Sequence, residues 1–140
     1  MIPLHPAAIL VVDDDSDHAQ IARLVLRSIV PAIPVEVCRN TRILRDALGD
    51  LPRGTLVLLD RIIDGVESFS TLVDIRGQRP DLAIVMLSAS LSLVDRAYAI
   101  ACGAAEAIEK PSSLDGWRTA LGALLGASVA AVPREAPRAA

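Results

Sequence analysis

Short runs of apolar residues alternate along the chain with segments in which apolar residues recur at helical spacing. Such alternation is typical of repeated βα units around a parallel sheet. The five runs of strand length are residues 9–12, 35–38, 55–59, 83–87 and 107–109. Because the strongest runs are apolar at every position, we expect helices to cover both faces. The pattern predicts an α/β fold with a single, doubly wound, five-stranded parallel sheet.

The helical segments carry signals for their ends and their buried faces. Asp17, with Gln20 three residues later, resembles a capping box for the first helix. Asn40 or Thr41 is expected to cap the second helix, and Gly103 to end the fourth. The residues expected on buried helix faces are Ile21, Leu24, Val25, Ile29, Ile43, Leu44, Ala47, Leu48, Phe69, Leu72, Val73, Leu91, Val94, Tyr98, Ala101, Leu114, Trp117, Leu121, Leu124 and Leu125.

The length and composition predict one folded domain. The chain has 140 residues, of which 52% are apolar and 22% charged, enough for a single core. We expect this domain at residues 7–126, with a short extension at 1–6 and a disordered, Ala- and Pro-rich tail at 127–140. We expect neither a second domain nor an effector domain.

Charge and hydropathy exclude several partners. The net charge is −3 and only 2% of residues are aromatic, so we expect no nucleic-acid binding. No run of 18 apolar residues and no signal peptide occurs, which favours a cytoplasmic protein that does not span a membrane. Cys38 and Cys102 are expected to be reduced thiols. His5 and His18 are interpreted as surface residues.

Polar residues follow four of the five predicted strands. Asp13 and Asp14 follow the first strand, Asp60 the third, Ser88 the fourth and Lys110 the fifth. Ligands of open parallel sheets bind beyond the carboxyl ends of the strands, so we expect these five side chains to converge. Lys110 is also the one lysine among 14 basic residues. A compact point charge at that place suits a phosphate group.

Three neighbouring carboxylates repel one another unless a counter-charge is present. Mg²⁺ prefers oxygen ligands and commonly combines one or two carboxylates with phosphate oxygens. With Asp60 as the nucleophile, a phosphoryl donor would give an aspartyl-phosphate. Metal and Lys110 would then neutralise the phosphoryl oxygens, while the Ser88 hydroxyl donates to one of them. The sequence therefore predicts a Mg²⁺-dependent phosphoryl site.

The chain resembles the receiver domain of two-component response regulators, the CheY-like fold, over about residues 7–126. The segments that carry the resemblance are residues 9–14 (ILVVDD), 56–60 (LVLLD), 84–89 (IVMLSA) and 109–111 (EKP). The resemblance implies a flavodoxin-like sheet with strand order 2-1-3-4-5. It also implies that a sensor histidine kinase or a histidine phosphotransfer protein supplies the phosphoryl group, and that an unidentified protein receives the signal.

The resemblance also assigns roles to individual residues. Asp60 is the expected phosphoacceptor, Ser88 the switching hydroxyl and Lys110 the phosphate partner, with Ala89 beside Ser88 in the phosphate-binding set. The peptide bond between Lys110 and Pro111 is expected to be cis.

For the metal, the resemblance implies Asp14 as a direct Mg²⁺ ligand and Asp13 as a ligand through water. Asp60 and the backbone carbonyl of Ile62 complete the implied set.

Several positions depart from the family pattern. Ala107 stands where many receivers have a switch aromatic, and Ser112 stands at another frequently aromatic position. The loop at 61–65 lacks the proline that is common before its glycine. We therefore expect the signal to pass through the backbone of residues 88–91 and the following helix. The apolar Ile62 cannot orient a hydrolytic water, which predicts slow self-dephosphorylation.

Three functional hypotheses follow. The first is a single-domain response regulator that is not an enzyme beyond weak self-phosphorylation and self-dephosphorylation. The second is a phosphorylation-independent docking module, in which a homodimer would form through the fourth helix, the fifth strand and the fifth helix. The third, a haloacid-dehalogenase-type phosphatase using Asp13, fits less well, since it leaves Asp60 without a role.

Overall fold

The computed structural model describes Ile2 and residues 5–126, which fold into a central sheet, one small hairpin and five α-helices. The strands are β1 Ile9–Val12, β2 Val35–Cys38, β3 Leu56–Asp60, β4 Ile62–Ile63, β5 Val66–Glu67, β6 Ala83–Ser88 and β7 Glu106–Glu109. The helices are α1 Ser16–Ile29, α2 Thr41–Ala47, α3 Phe69–Gln78, α4 Leu93–Ala101 and α5 Leu114–Leu124, and a 3₁₀ turn at Leu48–Asp50 follows α2.

The central sheet has five parallel strands in the order β2-β1-β3-β6-β7. Taken as the five long strands in chain order, this is 2-1-3-4-5, so the predicted fold and strand order are confirmed. Every residue of β1, β3 and β6 is buried, because helices cover both faces of the sheet. Val12 pairs with Leu59, and Asp60 pairs with Leu87, so these strands end at the same edge.

Two apolar cores lie on opposite faces of the sheet, because successive strand residues point to opposite sides. Leu10 and Val12 of β1 pack with residues of α2, α3 and α4 on one face. Ile9 and Val11 pack with residues of α1 and α5 on the other.

The helix caps agree in part with the sequence. Asn40 caps α2 through the Ile43 amide, and Gly103, with a φ of 119°, follows α4, both as expected. The predicted capping box at Asp17 is wrong. Asp15 is the N-cap of α1, since its backbone is extended and its carboxylate accepts from the Asp17 and His18 amides.

Several helix faces were also predicted wrongly. The following residues expected inside are exposed: Leu24, Ile43, Val73, Val94, Ala101, Tyr98 and Leu114. The apolar stripe of each of these helices is wider than the face that the sheet covers, so the hydrophobic pattern does not fix how the helix is rotated. In α4 the buried residue is Ala99.

The hairpin of β4 and β5 stands where the sequence suggested a loop. Asp64 and Gly65 form its two-residue turn, with φ values of 54° and 77°. Positive φ at both central positions is what a type I′ turn requires, and Asp-Gly is a favoured pair there. The two strands are too short to show an alternating pattern, so the Asp64-Gly65 pair is the one local signal for this hairpin.

Some expectations concern the ends of the chain and the membrane. The predicted tail at 127–140, and Met1, Pro3 and Leu4 of the extension, lie outside the described residues. Within residues 5–126, no helix has the length and apolar character needed to cross a membrane.

Cys38 and Cys102 are free thiols, as predicted, and burial raises the pKa of Cys38.

Candidate functional site

Three carboxylates meet at the carboxyl edge of the sheet. Asp13 and Asp14 follow β1, and Asp60 is the last residue of β3. Each offers one oxygen, and these oxygens all lie within 4.8 Å of one another. Asp13 and Asp60 are buried, whereas Asp14 is exposed, so the cluster opens to solvent on one side. The arrangement suits a ligand that enters from outside the sheet.

Backbone amides hold two of these acids in place. The Asp15 amide donates to Asp13 Oδ1 at 2.9 Å. The Asp64 amide, at the tip of the hairpin, donates to Asp14 Oδ2 at 2.9 Å. Backbone hydrogen bonds of this kind stabilise the ionised carboxylate and fix its orientation. The hairpin that replaced the expected loop is therefore part of the wall of this site.

Lys110 lies directly after β7 and reaches across to the acids. Its Nζ is 2.9 Å from Asp13 Oδ2 and 3.2 Å from Asp60 Oδ1. Its side chain is only 9% exposed, so little water screens these ion pairs. The Lys110 amide also donates to the Ser88 carbonyl at 2.7 Å, which fixes the start of the side chain.

The peptide bond between Lys110 and Pro111 is trans, because the described residues contain no cis bond. The expectation of a cis bond is therefore wrong. Trans is the intrinsic preference of such bonds by about 0.5–1 kcal/mol. With the trans bond, the ammonium still contacts both Asp13 and Asp60.

Asp60 is electrostatically unusual. Burial, followed by the negative charge of Asp13, raises its pKa to about 7, and Lys110 opposes the rise only in part. One lysine therefore leaves the cluster short of positive charge. A hard divalent cation with oxygen ligands suits such a site, so Asp13, Asp14 and Asp60 fit Mg²⁺.

A cavity of about 360 Å³ opens beside the acids. Its wall includes Asp14, Asp60, Ile62, Ser88, Ala89 and Lys110. Ser88 is buried, and its hydroxyl donates to the Ser90 carbonyl at 2.6 Å. The structure thus brings Ser88, Ala89 and Ile62 to the same cavity as Asp14, Asp60 and Lys110. Asp13 does not line this cavity but pairs with Lys110, which does.

Two residues of the site had no role in the sequence interpretation. His18, taken for a surface residue, lies in the cavity wall with its Nδ1 3.1 Å from Lys110 Nζ. It lies in the first turn of α1, three residues after the N-cap Asp15, and its contact with Lys110 places that turn at the sheet edge. Arg61, next to Asp60, also lines the cavity and pairs with Glu67 and Asp95. The position of Arg61 next to Asp60 is the feature of the sequence that could have identified it as a residue of this site.

The family model of the response regulator receiver domain matches residues 9–121. The chain therefore belongs to the response regulator receiver domain family. No curated protein matches the sequence.

Solved receiver domains have the same fold. The receiver domain of NtrX from Brucella abortus is 29% identical, with a TM-score of 0.69 over 84% of this chain and 98% of that chain. The signal receiver domain of a DNA-binding response regulator from Colwellia psychrerythraea 34H is 20% identical, with a TM-score of 0.71 over 85% and 98% of the two chains. In a longer NtrX structure the match covers 86% of this chain but 27% of that one. The fold thus also occurs as one part of larger proteins.

Proposed function

We propose that this chain acts as a response regulator receiver that accepts a phosphoryl group on Asp60. The observation that carries the proposal is the buried Asp60 carboxylate, 3.2 Å from Lys110 and clustered with two further acids beside an open cavity. A donor would be the phosphohistidine of a sensor histidine kinase or a histidine phosphotransfer protein. The family match supports partners of this kind.

The transfer forms one bond and breaks one. A carboxylate oxygen of Asp60 attacks the phosphorus, and the bond between phosphorus and the donor's imidazole nitrogen breaks. The electron pair of that bond stays on the imidazole, and Asp60 becomes an aspartyl-phosphate. Lys110, already beside Asp60, donates to the oxygens of the transferred group and neutralises part of their charge.

Asp13, Asp14, Asp60 and the carbonyl of Ile62 would hold Mg²⁺ in this function. The bound ion supplies charge neutralisation for the phosphoryl oxygens. The raised pKa of Asp60 supports this role, because burial and the nearby Asp13 charge both disfavour its ionised form, and a bound cation would favour it.

Ser88 and Ala89 would bind the phosphoryl group and start the signal. In the described state the Ser88 hydroxyl is engaged with the Ser90 carbonyl. To donate to a phosphoryl oxygen it must release that carbonyl, which frees the backbone that leads into α4. Ala107 is buried and small, so position 107 offers no aromatic ring that could move with the hydroxyl. The signal would therefore pass through backbone movement of residues 88–91 and α4 to a protein partner in the cytoplasm.

The test is phosphorylation by acetyl phosphate with Mg²⁺, followed by intact mass. We expect one phosphoryl group on the wild type and none on Asp60→Asn. Asp17→Asn is the matched control, because it removes an exposed acid of α1 outside the cavity and should leave phosphorylation unchanged. A wild-type protein that stays unmodified and does not bind Mg²⁺ would refute the proposal.

Two alternatives give different results. If the chain is a phosphorylation-independent docking module, the wild-type protein and the Asp60→Asn variant should bind the partner protein with the same affinity. If the chain is a haloacid-dehalogenase-type phosphatase, the Asp60→Ala variant should still hydrolyse phosphate esters, whereas the Asp13→Ala variant should not. We expect neither result, and we expect no enzymatic activity beyond slow self-phosphorylation and self-dephosphorylation.

A further inference from the structure

His18 adds a third partner to the ammonium group of Lys110. Its Nδ1 lies 3.1 Å from Lys110 Nζ. The other two partners are Asp13 Oδ2 at 2.9 Å and Asp60 Oδ1 at 3.2 Å. A lysine ammonium has three N–H donors and no acceptor. Within the described part of the chain, the three protons of Lys110 thus have three acceptors.

The contact also assigns the tautomer of His18. Since an ammonium nitrogen only donates, this contact assigns the Nδ1 lone pair as the acceptor and the ring proton to Nε2. The groups that face the ring are Lys110, the Asp15 carboxylate 3.5 Å from Nδ1, and Trp117, whose ring centroid is 6.3 Å away. Asp15 is itself held by the Asp17 and His18 amides. The ring therefore lies between Lys110, Asp15 and Trp117 of α5, with 41% of the His18 side chain exposed.

The three acceptors differ in what happens to them during the proposed reaction. Asp60 gives up an oxygen to the new bond, whereas Asp13 and His18 keep their lone pairs. A lysine side chain is long and flexible, so an ammonium with one lasting acceptor would sample many orientations. Two lasting acceptors restrict it and leave the third N–H directed to the Asp60 side. An imidazole nitrogen, unlike a carboxylate, accepts this hydrogen bond without adding negative charge where a phosphoryl group must approach.

We propose that His18 is a positioning residue for phosphoryl transfer, acting through its Nδ1 hydrogen bond with Lys110. The proposal rests on the proposed function of Asp60. It predicts that His18 affects the rate of phosphorylation and not the affinity for Mg²⁺, because its ring contacts Lys110 and not the acid cluster.

The kinetic test compares two variants at the same position. His18→Leu removes the acceptor, and His18→Asn retains an acceptor oxygen close to the place of Nδ1. With acetyl phosphate and Mg²⁺, His18→Leu should lower the rate constant for Asp60 phosphorylation about tenfold, the equivalent of one lost charge-assisted hydrogen bond. His18→Asn should recover to within about threefold of wild type. The Mg²⁺ affinity, measured by calorimetry, should be the same for all three proteins.

Two controls separate a positioning role from a structural one. His5→Leu makes the same substitution at an exposed histidine and should change nothing. In a Lys110→Met background, His18→Leu should cause no further loss of rate, because the residue through which it acts is gone. An equal further loss in that background, or a wild-type rate for His18→Leu, would overturn the proposal.

A spectroscopic measurement keeps this proposal separate from the proposed function. Nitrogen NMR of the unphosphorylated protein should show His18 protonated at Nε2 and not at Nδ1, and Lys110→Met should shift the Nδ1 signal. A proton on Nδ1 would overturn the positioning role even if Asp60 is phosphorylated. The expected tautomer could also be found in a wild-type protein that accepts no phosphoryl group. In that case the proposed function and this positioning role both fail, while the contact between His18 and Lys110 stands.

Discussion

The α5 and α4 helices lie on opposite faces of the sheet and are held by different interactions. On α5, Trp117 is 3% exposed and packs with Leu121 and with residues of α1 in an apolar core. On α4, Ala99 is the one fully buried residue, while Leu93 is 85% and Val94 77% exposed. Burial of large apolar side chains attaches α5 strongly to the sheet, whereas α4 buries few side chains of this kind.

Polar contacts contribute much of the attachment of α4 to the rest of the domain. Asp95 of α4 lies 3.1 Å from the guanidinium of Arg61. In the segment that leads into α4, the Leu91 amide donates to Glu109 Oε1 at 3.1 Å. Arg61 also stacks over Phe69, whose ring packs against Tyr98 of α4 at a centroid distance of 4.7 Å. Arg61 is the residue after Asp60, so the attachment of α4 begins beside the proposed phosphoacceptor. A helix held by few polar contacts can shift at lower energetic cost than one held by a core, which favours α4 over α5 as the element that moves.

The largest expected effect is on α5. Trp117→Ala should lower the free energy of unfolding by about 3–5 kcal/mol, because it leaves a cavity between α5, α1 and the sheet. Urea denaturation followed by circular dichroism measures this change. Leu114→Ala, at an exposed position of the same helix, is the control and should change stability by less than about 0.5 kcal/mol. A small loss for Trp117→Ala would mean that apolar burial does not fix α5.

An intermediate effect is expected at the attachment of α4. Arg61→Gln should cost about 1 kcal/mol, because it removes two partly exposed ion pairs and the cation stacked on Phe69. Hydrogen exchange should show the loss mainly as about fivefold faster exchange of α4 amides, with α5 unchanged. Arg45→Gln, which breaks the ion pair between Arg45 and Asp74, should leave α4 exchange as in wild type. Equal acceleration in α4 and α5 would contradict a local attachment.

The smallest effect is expected on the outer face of α4. Val94→Ser should change the free energy of unfolding by less than about 0.5 kcal/mol, since the side chain is already in solvent and the two residues have similar helix propensities. Ala99→Ser, on the buried face, should cost about 1–2 kcal/mol through a buried hydroxyl. Thermal unfolding of both variants tests the orientation of the helix. A larger loss for Val94→Ser than for Ala99→Ser would show that α4 is rotated differently.

The sequence by itself determined the features that depend on neighbours along the chain. The fully apolar runs at β1, β3 and β6 predicted a covered parallel sheet, and the residues that follow them, Asp13 and Asp60 above all, had to lie at its carboxyl edge. Lys110 also stands out in the sequence alone, because it is the sole lysine among 14 basic residues. Each of these inferences needs only the register of a strand and the residue at its end.

The tertiary structure decided what depends on the rotation of one element against another. The apolar stripe of α4 is compatible with several rotations, and only packing on the sheet buries Ala99 and exposes Val94. In the same way, His18 became a partner of Lys110 because α1 presents its first turn to the sheet edge. Side chains 92 residues apart meet there, and hydrophobic periodicity carries no information on which polar groups will face each other.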